Sequence, residues 1–273
     1  MMKITPAANP LLQTKTRRVV LKSKEEIAMM RQAGKIVALA LDEIRRHTRP
    51  GVTTGEMNRI AEDVLKRYNA TPVFKGYPNQ REGLPPFPKT ITACVNHELV
   101  HGIPSNDRVL REGDIFTVDC GAYYKGWVGD AATTIPVGKI SEEAQHLLAV
   151  TEKALYEGIS QGRLGNRTED ISAAVQEYVE QYGYSVVREY TGHGVGRNMH
   201  EDPQVPNFGQ RGRGMRLKTG MTLALEPMVN VGTWKTQLLD DGWTVVTADG
   251  KLSAHFEHSF AITDGEPYIL TLL

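Results

Sequence analysis

Two aspartates in a predicted β-hairpin constrain this chain more than any other feature. Residues 113–134 are GDIFTVDCGAYYKGWVGDAATT, where two runs of β-forming residues each carry one acid, Asp119 and Asp130. A turn on residues 124–125 would place the acids directly opposite each other, whereas a turn on Lys125-Gly126 would make them diagonal neighbours on one face. Two carboxylates on one face repel each other. A shared divalent cation would compensate for that repulsion, so the rest of the chain is expected to supply further ligands.

Two helix pairs, each followed by strands, are predicted from the spacing of apolar residues. Capping boxes at Ser23 and Thr53 open the first pair, and helical patterns after Ser141 and Gly165 open the second. This repetition indicates a weak internal duplication and an α+β fold, with the helices packed on one face of a curved sheet. Besides the hairpin, the predicted strands cover residues 91–95, 186–192, 221–229, 243–247 and 253–263.

The domain prediction is a basic tail followed by one catalytic domain. The tail covers residues 1–22 and is expected to be flexible, and the domain covers 23–273 with pseudo-halves 23–138 and 139–273. A solvated tail, a segment that contacts an RNA-rich partner and a remnant of organelle targeting all stay open for the tail.

Composition excludes several classes of partner. Lys+Arg and Asp+Glu balance at 32 each, so the chain has no overall charge that would favour nucleic acid or an anionic membrane. The longest apolar run, residues 36–41, is too short to span a bilayer. The 2 cysteines fit a reducing compartment, which predicts a cytoplasmic protein, with an organelle stroma or matrix as the lesser alternative.

The string HELVH, His97 to His101, matches the HExxH signature of zinc peptidases. That chemistry needs a helix, which places the two histidines one turn apart. Here the string follows a β-branched run and is closed by Gly102-Ile103-Pro104, which disfavours a helix. His101 is therefore predicted in a loop after a strand.

Three further residues are predicted to join the two aspartates as metal ligands. His193 is flanked by glycines in TGHGVG, while Glu226 and Glu257 each interrupt an apolar strand. A Glu in such a strand is rarely buried without a partner or a metal, although an ion pair with Arg would also explain it. Four carboxylates and one imidazole suit two cations such as manganese, iron(II) or cobalt better than a structural zinc, and zinc still fits as a catalytic ion.

The ligand order and its flanking strings resemble the methionine aminopeptidases. The strings that carry the resemblance, over about residues 23 to 270, are VHGIP, GDIFTVDCG, GDAATT, GHGVGR, MHEDPQV, LEPMV and FEHSF. The resemblance implies the pita-bread fold and removal of initiator Met from nascent chains whose second residue is small. The short interval between His193 and Glu226 leaves no room for the insertion of type II enzymes, which implies type I.

The resemblance also implies a role for each ligand. Asp130 and Glu257 would bridge two metal ions, Asp119 would complete the second site, and His193 and Glu226 would complete the first. Glu226 would also carry a proton from the attacking water to the leaving amine.

The remaining site residues follow from the same resemblance. His200 would stabilise the developing oxyanion and His101 would hydrogen-bond near the scissile amide. Trp243 would form a wall of the methionine pocket, and either Tyr77 or Phe87 would line it. Met199 stands where the family often has Phe. Asn96 and Ser253 match positions that hold a structural monovalent cation in some relatives.

Two alternative functions stay open from the sequence. One is a proline-directed peptidase of the same fold, which usually carries a second metal-site histidine and a large extra N-terminal domain. The other is a non-catalytic binding protein of the same fold, although such proteins lose ligands. The expected partners are nascent polypeptide N-termini, with transient ribosome contact, no membrane, no specific nucleic acid and a monomeric state.

Overall fold

The computed structural model describes residues 19–79 and 81–273, and within them the predicted helix pairs are confirmed. Ser23 and Thr53 form the predicted capping boxes, each with a Glu three residues later. Such a cap is worth about 1 kcal/mol and fixes where each helix begins. The helices are α1 (Lys24–His47), α2 (Thr54–Arg67), α3 (Glu142–Ser160) and α4 (Thr168–Glu180).

The strands of the described residues belong to four sheets. The strands are β1 (Thr71–Pro72), β2 (Ile91–Val95), β3 (Glu98–Val100), β4 (Ile115–Tyr124), β5 (Trp127–Pro136), β6 (Ser185–Val186), β7 (Thr191–Gly194), β8 (Glu201–Pro206), β9 (Thr222–Leu225), β10 (Met228–Asn230), β11 (Thr236–Leu238), β12 (Val245–Thr247), β13 (Ser253–His255), β14 (His258–Ala261) and β15 (Tyr268–Ile269). The orders of the strands in the four sheets are β15-β14-β9-β7-β8, β13-β10-β6, β11-β12-β3 and β1-β4-β2, and β5 also pairs with β4.

Three of the predicted strands are interrupted, and the strand predicted over 243–247 is shorter than expected, since β12 begins at Val245. The prediction of continuous strands over 221–229 and 253–263 is wrong, because each is interrupted and passes from one sheet to another. The 186–192 strand is likewise divided between β6 and β7. Pro227 explains one interruption, since proline has no N–H to donate to a ladder. At the other interruption, the Glu257 N–H does not bond to a strand of its own sheet. It donates instead to Ala132 O in β5, at 2.9 Å.

Two large apolar clusters form the core, one on each side of the chain's midpoint. The first joins α1, α2 and the hairpin, and the second joins α3, α4 and the later strands. This division supports the two predicted pseudo-halves, whose boundaries stay a prediction. The hairpin lies directly on α1: a Cβ at Gly129 would meet Gly34 N at 2.5 Å, so only glycine permits this approach.

The predicted basic tail falls mostly outside the described residues, which begin at residue 19. Its last part, however, belongs to the folded protein. Lys22 is only 6% exposed and its Nζ lies 2.6 Å from Glu201 Oε2. In the described part of the chain, no helix has the length and apolar character needed to cross a membrane.

Candidate metal centre

The hairpin places Asp119 and Asp130 on one face as diagonal neighbours. Asp130 pairs with Gly121 and Asp119 with Ala132, so the two-residue loop is Lys125-Gly126. Both loop residues have positive φ, 48° and 88°, as a type I′ turn requires. Of the two predicted turn registers, the second is the one that the structure adopts.

Glu226 and Glu257 lie where two neighbouring strands change sheets at the same level. Leu225 pairs with His258 in one sheet, and Met228 pairs with His255 in the next. The two glutamates lie between these pairs, where Glu257 N donates to Ala132 O of the hairpin and both carboxylates are close enough to feel the charge of Asp130. The interruption of both strands, which the sequence pattern did not predict, therefore places these two carboxylates beside Asp119 and Asp130.

His193, in β7, completes the cluster from the strand next to β9, which ends directly before Glu226. Its Nε2 lies 3.4 Å from Glu226 Oε1 and 3.7 Å from Asp130 Oδ2. Its Nδ1 faces Gly194 O at 2.9 Å, which places the ring proton there and leaves the Nε2 lone pair directed at the carboxylates. Asp130, His193 and Glu257 offer ligand atoms that all lie within 4.8 Å of one another.

Asp130 and Glu257 are buried, Asp119 and Glu226 are partly buried, and no cation lies beside the four acids in the described residues. Burial raises the pKa of Asp130 to about 7, opposed by its hydrogen bond to Glu257. Burial, with the charge of Asp130 next, also raises the pKa values of Asp119, Glu226 and Glu257 above their usual range. Burial lowers the pKa of His193 to about 3, so the imidazole is a neutral ligand.

Two observations indicate that these residues fit divalent metal ions. Asp119 Oδ1, Asp130 Oδ1 and Glu257 Oε1 are buried and have no hydrogen-bond partner. Such atoms are costly unless something binds them. Carboxylate oxygens with one imidazole also form the donor set that hard and borderline divalent cations prefer.

A cluster of candidate metal ligands in an α+β fold indicates a metal-dependent enzyme, and the comparisons agree. Residues 28–264 match the model of metallopeptidase family M24. A methionine aminopeptidase from Clostridium acetobutylicum is 52% identical over 93% of this chain and 99% of that protein. The chain belongs to metallopeptidase family M24 and, within it, to the methionine aminopeptidases.

Solved structures confirm the predicted α+β pita-bread fold. The crystal structure of a methionine aminopeptidase from Thermotoga maritima aligns with a TM-score of 0.90, at 43% identity, over 94% of this chain and 100% of that one. An Xaa-Pro dipeptidase from Bacillus anthracis shares the fold at a TM-score of 0.72 and 24% identity, over 92% of this chain and 61% of that one.

The remaining predicted site residues lie around the cluster in two groups. His200 is next to the predicted ligand His193: their ring centroids are 4.4 Å apart, and Tyr77 OH lies 2.7 Å from His200 Nδ1. Met199, which precedes it, is half-buried. In the second group, Trp243 packs edge-on against Phe87 at 5.2 Å and against His101 at 6.4 Å.

Two residues that sequence reasoning missed support these groups. Asn207 is fully buried, and its Nδ2 donates to Glu226 O at 3.0 Å, beside the strand break. Tyr190 packs edge-on against His101 at 5.7 Å. No sequence pattern marks either residue, since an Asn after a strand is usually a turn residue.

Two further histidines flank Glu257, and two other residues form the predicted position for a monovalent cation. His255 is buried and neither of its ring nitrogens has a hydrogen-bond partner, whereas His258 contacts Tyr156 and Thr271. Asn96 and Ser253 meet through a hydrogen bond from Ser253 N to Asn96 O, at 2.9 Å. The monovalent cation there stays a prediction.

The HELVH string forms no zinc site in this structure. Glu98 lies in β3 rather than in a helix, and its carboxylate accepts from Val95 N at 2.7 Å and from Arg108 at 3.1 Å. His101, with φ 60°, follows the strand as predicted.

Glu98→Gln is therefore expected to leave peptidase activity within about twofold of the parent, because glutamine still accepts from Val95 N. The measurement is kcat/KM for Met release, together with Tm. A loss of several orders of magnitude without unfolding would return Glu98 to the role of a catalytic base.

Proposed function

We propose that the protein removes the initiator Met from nascent polypeptides whose second residue is small, using two divalent metal ions. The observation that supports this most is the buried cluster of Asp119, Asp130, His193, Glu226 and Glu257, in a chain half-identical to a methionine aminopeptidase. Asp130 and Glu257 would bridge the ions, with Asp119 on one side and His193 and Glu226 on the other. Ions held there would acidify a water molecule and polarise the scissile carbonyl.

The chain's own side chains would carry the proton transfers and the orientation of the substrate. Glu226 is the proposed proton carrier, because its carboxylate is close to His193 yet its side chain remains 15% exposed, so a substrate could reach it. Asn207 holds the Glu226 carbonyl, which fixes the backbone from which this side chain extends. His200 would donate to the developing oxyanion, and Tyr77 would orient its ring through the Nδ1 contact.

The pocket for the Met side chain is proposed at the second group of residues. Trp243 would form one wall, held in place by its edge contact with Phe87 and by its own Nε1–H, which donates to Pro85 O at 3.2 Å. His101 lies between this wall and Tyr190, where it would hydrogen-bond near the scissile amide. Phe87 is 2% exposed, so we assign it to support of Trp243 and assign Tyr77 and Met199 to the rim.

Peptide assays with and without metal test this function. The protein, stripped with a chelator and then given manganese or cobalt, is expected to release Met from Met-Ala-Ser and to leave Met-Lys-Ser intact. The chelated protein is expected to release none. No metal-dependent release from Met-Ala-Ser would contradict the proposal, and cleavage of X-Pro peptides alone would indicate the proline-directed alternative.

The setting of the reaction is also a proposal. Nascent N-termini are the proposed substrates, with transient ribosome contact and action as a monomer. Cys94 and Cys120 are both free and buried, which supports the cytoplasm as a reducing place of action. Manganese, iron(II) and cobalt are the proposed metals, and zinc is the alternative.

A further inference from the structure

We propose that Lys22 is a positioning residue for His200 and acts through the carboxylate of Glu201. The proposal rests on the proposed function, because His200 matters there as the residue beside the reacting carbonyl. It concerns a part of the chain distant in sequence from every ligand: Lys22 precedes α1, and Glu201 follows His200 directly.

Close contacts hold both the side chain and the backbone of Lys22. Its ammonium lies 2.6 Å from Glu201 Oε2, and its backbone N–H donates to Gly220 O at 2.7 Å. A Cβ at Gly196 would meet Lys22 Cε at 2.6 Å, so the lysine stem packs against bare backbone. A buried lysine is costly unless it is paired, and the fit indicates that this ion pair is part of the fold.

Glu201 in turn organises the loop that ends at His200. Its Oε1 accepts from Arg197 N at 2.9 Å and from Asn198 N at 3.2 Å, while its Oε2 accepts from Lys22. The Glu201 carboxylate thus accepts hydrogen bonds from two backbone amides of the 195–200 loop. That loop joins β7, which carries His193, to β8, so its shape sets where the His200 ring lies above His193.

Removal of the Lys22 charge leaves the Glu201 carboxylate without its cation. A partly buried carboxylate in that position is stabilised by turning toward water, which releases the two loop amides. His200 is the next residue and would move with the loop. A displacement of about 1 Å at such a group is enough to lower a rate by up to about 100-fold.

A double-mutant cycle on kcat separates positioning from general support of the fold. Lys22→Met is expected to lower kcat for Met-Ala-Ser by about 10- to 100-fold in the metal-loaded protein. In a His200→Ala background the same change is expected to lower kcat by less than about twofold, because its target is gone. An equal fold-change in both backgrounds would overturn the proposal, since a purely structural effect does not depend on His200.

Matched variants identify the ion pair as the cause. Lys22→Met/Glu201→Gln is expected to regain most of the lost kcat, because glutamine keeps the acceptor for both amides and leaves no unpaired charge. Lys153→Met, which breaks a surface pair with Glu157 at 2.9 Å, is expected to match the parent. If Lys22→Met does not fold, Glu201→Gln alone replaces it, with a smaller fall in kcat expected, again absent without His200.

Amide hydrogen exchange of the metal-free proteins tests the loop without any turnover. Lys22→Met is expected to speed exchange at Arg197 and Asn198 at least tenfold and to leave β9 unchanged. Unchanged exchange at both amides would overturn the proposal. Absence of Met release by the parent protein would instead contradict the proposed function, so the two failures are distinguishable.

Discussion

Asp130→Asn is expected to abolish metal-dependent Met release, with kcat/KM falling by far more than 100-fold. Loss of a mere outer partner of a metal ligand costs about 10- to 100-fold, and Asp130 is proposed to be a bridging ligand. Its carboxylate is 3.7 Å from His193 Nε2, and its ligand atom lies within 4.8 Å of those of His193 and Glu257. Asparagine offers one neutral oxygen, and its N–H group cannot bind a cation.

The measurements are the rate of Met release at saturating manganese and the bound metal per protein. Both are expected to fall in the variant, while the fold remains because asparagine has nearly the same shape and volume as the Asp130 side chain that it replaces in β5. Asp63→Asn is the matched control, an exposed acid of α2 that is expected to change neither quantity. Retention of the parent's metal content and rate by Asp130→Asn would show that Asp130 is not a ligand.

The four carboxylate ligands could be predicted because an acid within a run of apolar or β-forming residues is easily recognised in the sequence. Asp119 and Asp130 interrupt runs of β-forming residues, and Glu226 and Glu257 interrupt apolar ones, so each was visible as a charge in a place that favours none. The capping boxes at Ser23 and Thr53 were equally visible, because the two residues that form each box are only three positions apart.

The strand breaks beside Glu226 and Glu257 were not predictable from local pattern. Both segments have the apolar character of a continuous strand, and only Pro227 gives a local reason for an interruption. The second break depends on the hydrogen bond from Glu257 N to Ala132 O, a partner 125 positions earlier in the chain. The spacing of apolar residues along a segment gives no information on contacts between residues so far apart in the chain. The two glutamates were therefore predicted within strands rather than between them.

Lys22 shows the same limit for charged residues. A run of basic residues with no acid favours a solvated tail, and the sequence contains no sign that Lys22 differs from its neighbours. Its partner Glu201 lies 179 positions away, and the pair is recognisable only once both segments are placed beside Gly196. The ion pair between Lys22 and Glu201 could therefore be identified only from the structure.

The metal-free protein is expected to lose stability relative to its Asp130→Asn variant as pH rises from about 4 to 7. An unfolded aspartate ionises near pH 4, whereas burial raises the pKa of Asp130 in the fold to about 7. Between these values the folded protein keeps a proton that the unfolded chain has released. Rising pH therefore favours unfolding by about 1.4 kcal/mol per pH unit, and the effect ends above pH 7.

The comparison with the variant isolates this group from the buried histidines, which act in the opposite direction. Burial lowers the pKa values of His193 and His255 to about 3, so their stabilising contribution is lost as pH falls below about 6.5. Those contributions are common to both proteins and cancel in the difference. Urea unfolding at pH 5 and pH 7 is expected to show the difference in unfolding free energy shifting in favour of Asp130→Asn as pH rises.

Manganese is expected to reverse this order at pH 7, because an ion that binds only the folded parent stabilises it by mass action. The parent would then be the more stable protein, and the gain would grow with manganese concentration, while Asp130→Asn would respond little. A stability difference that does not change with pH would mean that Asp130 is ionised in the metal-free fold. In that case the repulsion among the four acids must be relieved within the protein itself, and the cluster would not need a metal to be stable at neutral pH.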